Sequence, residues 1–213
     1  MTTLQTLLSS SYPLELFEGM VVNLHIAALA LALGLVLGIV LVVMQRGGRV
    51  LRGVSTPLLG LMRAAPTFVV MFFLLNVLAS SGVFGPDGGL SAPTIVALSL
   101  LPYAAAYLAD NGGEAVTSWQ EGSTGAALLF LPGLVRAYVV LVMSSSTGAA
   151  IGVNEGVSAV LREAERWPDL SDKLIVFAIG VLAFGAVFQI GFALVRVAVR
   201  VMSRPKSVSE VAA

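Results

Sequence analysis

From Met20 to Met44 the chain runs without one charged side chain, and Asn23 and His25 are its only strongly polar interruptions. Wound as a helix, such a run is long enough to cross a hydrocarbon core of about 30 Å. Four more apolar segments follow. Ala64 to Ala79 is entered through Pro66 and prolonged by Ser80, Ser81 and Gly82, so it is expected to be short or partly broken. Ala92 to Ala109 opens with Pro93 and carries Pro102 in its interior, and Gly125 to Val153 is interrupted by Pro132, Arg136 and the run Ser144, Ser145, Ser146, Thr147. Leu174 to Val195 is uncharged, with Gln189 as its most polar member. Lipid offers no partner to a bare peptide group, so apolar runs of this length read as helices. The expectation is an all-α integral membrane protein of about five spans, forming one transmembrane domain over residues 1–213. Residues 1–19 are an external segment, 20–203 the membrane helices and 204–213 a cytoplasmic tail.

Composition agrees. Apolar residues make up 57% of the chain and charged residues 11%, against about 45–50% and about 25% in soluble domains. Basic and acidic residues balance at 12 each, so no net field points to nucleic acid. Cysteine is absent and His25 is the only histidine. Thiolate chemistry and a histidine-built zinc site are thereby excluded within one chain, and no metal site is expected.

The distribution of charge sets the expected direction, because Lys and Arg are retained on the cytoplasmic side. Arg46, Arg49, Arg52 and Arg63 crowd the first connection, and Arg196, Arg200, Arg204 and Lys206 the tail. Both lie inside if the N-terminus is outside and the C-terminus in the cytoplasm. Met1 to Gly19 contains Glu15 and Glu18 but no basic residue, so it lacks the n-region of a cleaved signal, and the first helix is expected to stay as an anchor. Arg196, Arg200 and Arg204 share a helix face that can meet lipid phosphates. Gly34 and Gly38 would let a second helix approach closely. Asn23 and His25 read as interfacial residues. The segment Glu163 to Lys173 reads as an amphipathic external connection with Trp167 at the interface.

A path for polar solutes needs hydroxyls, broken helices and rare inward-facing charges. Ser144, Ser145, Ser146 and Thr147 are the best candidates. Four hydroxyls in succession cover every face of a helix, so some must face protein, although each can also bond a backbone carbonyl one turn back. Glu155, just past the fourth segment, reads either as part of an external gate with Asn154 or as a solvated acid. No Gly-x-x-x-x-Gly-Lys-Ser/Thr loop is present, so any ATP must be hydrolysed by another chain.

Several segments, in order, resemble the permease subunits of polar amino-acid ABC importers. The run LHIAALALALGLVLGIVLVVMQR is followed by Arg63-Ala64-Ala65-Pro66-Thr67 and FVVMFFLLNVL, where that family has Arg-Gly-Thr-Pro before Leu and Phe. Ala106, Tyr107, Ala109 and Asp110 are similar to its Ala-Tyr-x-Ala-Glu, and Ile151-Gly152-Val153-Asn154-Glu155 to its Ile-Gly-Val-x-Glu. Against its Gly-Gln-x-Glu-Ala-Ala this chain keeps Gly122, Ala126 and Ala127, with Ser123 for Gln and Gly125 for Glu. Met143 and Ser144 stand where a Lys-Asp pair is usual.

The resemblance implies a type I importer permease fold. It implies a path lined by Ser144 to Thr147 with Tyr107, Pro66 and Thr67, an outer gate or docking point at Asn154 and Glu155, and a second permease subunit. Two ATPase subunits that hold ATP and magnesium, and an external solute-binding protein, complete the assembly. In that family a helix inserted in the ATPase follows the Glu-Ala-Ala segment, but here Ala127 leads directly to Leu128 through Pro132. The ATPase contact, at Glu114, Gln120, Glu121 and Gly122, is therefore expected to be weak and the chain to be half of a heterodimer. The alternative is a non-conducting regulatory or assembly subunit. A membrane enzyme finds no cluster of acids or histidines inside the spans.

Overall fold

The computed structural model describes residues 3–80 and 90–202. Its helices are α1 (Thr3–Ser9), α2 (Tyr12–Arg46), α3 (Arg49–Ala64), α4 (Thr67–Ser80), α5 (Ala92–Gln120), α6 (Thr124–Leu128), α7 (Phe130–Ser145), α8 (Gly156–Glu165) and α9 (Leu170–Met202). A 3-10 segment, Ser146–Ile151, follows α7. There is no strand among the described residues. Four helical stretches are long and apolar enough to span a bilayer, and the bent pair α3–α4 makes a fifth possible. The chain is a multi-pass membrane protein.

Two spans exceed their apolar runs. The first begins at Tyr12, not Met20, with Pro13 in the opening turn where its missing N–H costs nothing. Its 35 residues extend about 52 Å. The third continues past Ala109 to Gln120 through Gly112 and Gly113. Glycine weakens an isolated helix, so local propensity alone would not carry the helix through this pair. The extension is not isolated: Arg46 donates to the Gly113 carbonyl, the Thr117 hydroxyl and Gln120 Oε1, each at 2.8 Å.

α2 and α5 form the central crossing. A Cβ on Gly34 would lie 2.5 Å from the Ala104 Cβ, and one on Gly38 3.0 Å from that of Leu108. The two glycines therefore set the separation of the helices. Around the crossing, Ile26, Ala27 and Ala30 pack with Val96, Leu100, Leu141 and Met71. At one end, Leu41, Leu59, Ala105 and Ala109 close a second cluster beside Arg46 and Arg63. At the other, α1, α2, α8 and α9 meet through Leu7, Tyr12, Val160 and Val176. These are called below the arginine end and the opposite end.

Helix α3 lies at the arginine end and turns through 100° into α4 at Pro66. Ser55 and Leu59 face the bundle, while Val50, Val54, Leu58 and Leu61 remain exposed. Arg49, Arg52 and Arg63 occupy the other side of the helix. The 14 residues of α4 reach about 21 Å, less than a bilayer core. The second apolar segment is thus a short helix behind a sharp break. Ser81, Gly82, Arg204, Lys206 and the tail 204–213 lie outside the described residues; Arg196 is exposed on α9.

Candidate functional site

The most connected polar group lies where α2, α7 and α8 meet. Asn23 is fully buried. Its Nδ2 donates to Ser145 Oγ at 2.8 Å and to Glu155 Oε2 at 2.9 Å. Its Oδ1 accepts from the Gly156 N–H at 2.9 Å. Asn23 is therefore an interior residue of the bundle, held there by Ser145, Glu155 and Gly156.

Glu155 caps α8, accepting from the N–H groups of Val157 and Ser158, while Ser158 Oγ accepts from the Glu155 N–H. Its residue is fully buried, so it is neither a solvated acid nor open to a docking protein. The backbone at Glu155 and Gly156 passes so close to Gly19 that a Cβ there would come within 2.6 Å. Burial pushes the Glu155 carboxyl above its ordinary value, against the opposing pull of Val157, Asn23, Ser158 and Arg162. Asn154, beside it, is exposed and accepts from Arg162 at 2.8 Å. A cavity of about 460 Å³ opens here, lined by Glu15, Glu18, Asn154 and Arg162.

The four hydroxyls separate into different environments. Ser145 is buried and donates to the Val142 carbonyl at 2.7 Å, in addition to its bond with Asn23. It is a structural group. Ser144 and Ser146 are half-buried. Thr147 Oγ1 is buried without a hydrogen-bond partner, the one such side-chain atom among the described residues. Leaving it so costs about 1–3 kcal/mol unless water or a passing polar group reaches it.

Tyr107 and the Pro66–Thr67 pair lie elsewhere. Tyr107 stacks on Tyr103 with ring centroids 6.0 Å apart and gives its carbonyl to Asn111. Gly148, in the hydroxyl region, packs beside Val96, eleven residues up α5 from Tyr107 (107 − 96), or about 16 Å. Pro66 and Thr67 stand at the α3–α4 break, at the arginine end. These residues are spread along the bundle and do not form one pocket.

Arg63 of α3 and Asp110 of α5 pair at 2.6 Å and tie the two helices together. Next to them a cavity of about 860 Å³ is lined by Gln45, Arg46, Asp110, Gly113, Glu114 and Thr117. Glu114 thus stands beside a large recess. Gln120 is held by Arg46, Glu121 ends α5, and Gly122 takes a left-handed φ of 81° before the five-residue α6. All four are exposed at the arginine end.

Two residues visible in the sequence were assigned to no site: Asn23, which reads there as interfacial, and Arg136, which reads as an interruption of the fourth segment. The signal for Asn23 was a carboxamide inside an uncharged run, which has to find partners. The signal for Arg136 was a cation in the middle of the fourth segment, exposed in the structure.

The architecture is an all-α bundle of helices long and apolar enough to span a membrane. No protein-family model and no curated protein matches the chain. A solved structure does: a chain of an amino acid ABC transporter, crystallised with histidines, superposes with a TM-score of 0.66 at 17% identity. The match covers 92% of this chain and 98% of that one. At that identity the likeness is one of fold.

Proposed function

We propose that the chain is a membrane-spanning permease subunit of an ABC importer for amino acids or related small polar solutes, with its N-terminus outside and its C-terminus in the cytoplasm. The observation that carries this reading is the near end-to-end fold match to a chain of an amino acid ABC transporter. The match runs over 92% of this chain and 98% of that one, so the likeness is to the whole fold and not to a fragment of it. The order of the resembling motifs agrees with it.

The subunit forms one half of a heterodimer. Two ATPase subunits, which carry ATP and magnesium, bind at the arginine end, and a solute-binding protein approaches the opposite end. Between α5 and α7 only the five residues of α6 are helical, which supports weak coupling. Coupling requires contacts that differ between the two states of the ATPase, and a stub offers few. The same stub favours a second reading, a permease-derived subunit that regulates or assembles another transporter without conducting.

The test is purification from the native membrane through a tag on this chain. The transport reading predicts two ATPase subunits, a second membrane subunit, and ATP hydrolysis that rises with amino-acid-loaded binding protein. A complex whose hydrolysis ignores every loaded binding protein contradicts it and favours the regulatory reading.

A further inference from the structure

Arg136 is an exposed residue of α7 with no hydrogen bond or ion pair among the described residues. It lies on the α7 face that carries Leu129 and Met143, which are 67% and 58% exposed. The opposite face, Ala137, Leu141 and Ser145, packs into the bundle. Thr124–Ile151 is long and apolar enough to span a bilayer, and Arg136 lies within it, six residues or about 9 Å past the start of α7 at Phe130.

An intramembrane arginine in contact with acyl chains is strongly unfavourable; it persists where it faces water, an acid or a ligand. Among the described residues no acid pairs with Arg136: the five apolar segments contain no Asp or Glu, and Asp110 is held by Arg63. Its partner is therefore sought outside these residues. A second observation lies farther along the same region, where Thr147 Oγ1 is buried without a partner. Both are polar groups that the fold leaves without a partner among the described residues.

We propose that the α7 face bearing Arg136 lines the aqueous path between this chain and its partner subunit, and that Arg136 receives the carboxylate of the transported solute. The geometry suits it: a guanidinium offers a planar fork of donors to a carboxylate, and away from bulk water the pairing is strong. The hydroxyls that follow supply neutral contacts, and the absence of any acid on the face leaves the anion free to move on. This inference rests on the permease reading and names the ligand chemistry of its path.

The test uses the complete complex in proteoliposomes, with the partner subunits made cysteine-free; this chain contains none. Binding-protein-dependent amino-acid uptake should fall about tenfold or more in Arg136→Gln, the loss of one charge-assisted contact, and recover in part in Arg136→Lys. In Arg136→Cys, a membrane-impermeant cationic methanethiosulfonate should react in the assembled complex, react more slowly with excess amino acid, and restore uptake. The anionic reagent should not restore it. The proposal is overturned if Arg136→Gln transports normally, or if the cysteine resists water-borne reagents, which would put the face against lipid. It is equally overturned if Arg136→Gln releases the partner subunit while Arg136→Lys retains it, since the arginine would then pair with an acid of that subunit. Absence of uptake in the unaltered complex would instead count against the permease reading itself.

Discussion

Asn23 holds three elements together with one side chain, using both amide protons and its carbonyl. Asn23→Leu removes all three bonds and leaves the Gly156 N–H and the Glu155 carboxylate short of a partner. Stranded buried polar groups of this kind cost about 1–3 kcal/mol. Unfolding of the detergent-solubilised protein should show a loss of that size, while His25→Leu, at an exposed position, should be near neutral. Glu155 makes a pH-dependent contribution whose sign follows from its raised carboxyl. The folded state holds this proton more tightly than the unfolded chain does. The corresponding stability is present in full below the ordinary value of 4.5 and is lost as pH rises through the higher folded value. Relative to Glu155→Gln, the unaltered protein should therefore lose thermal stability between acid and neutral pH. A constant difference between the two across that range would contradict the assignment.

At the scale of elements, the α2–α5 crossing depends on two missing methyl groups. Gly34→Ala should force the helices apart and lower thermal stability, because the added Cβ would meet Ala104 at 2.5 Å. Gly185→Ala, where nothing lies within 4 Å, should be neutral or gain up to about 1 kcal/mol from helix propensity. The Gly34 and Gly38 spacing made this crossing legible in the sequence, as the apolar runs did the spans. The continuation of α5 to Gln120 was not legible. It depends on Arg46, whose three acceptors lie 67 to 74 residues away, and local propensity carries no trace of such a bond. The hydroxyl run was visible as a cluster, but only the three-dimensional arrangement separates the bonded Ser145 from the unpartnered Thr147. Glu155 looked like a loop acid because its cap bonds are local while its burial comes from Asn23 and Gly19.

For the whole molecule, the bundle has polar recesses at both ends and apolar packing between them. Alanines at Ser144, Ser146 and Thr147, with Ser145 left in place, should reduce uptake while the complex still assembles, since these groups are not bonded into the fold. Unchanged uptake and unchanged solute-stimulated ATP hydrolysis would make the cluster structural. At the arginine end, Glu114→Ala and Glu121→Ala should be mild, whereas disrupting the matching inner helix of the partner subunit should abolish uptake. Equal damage from both would make the short connection a full coupler.

The permease reading is tested most directly by ATP-driven uptake. The complex purified through this chain is placed in proteoliposomes with ATP on the arginine side and binding protein with radiolabelled amino acid on the other. Accumulation should need ATP hydrolysis, saturate with amino acid and collapse in Arg136→Gln. Accumulation that proceeds equally well when this chain is omitted from the complex would contradict it.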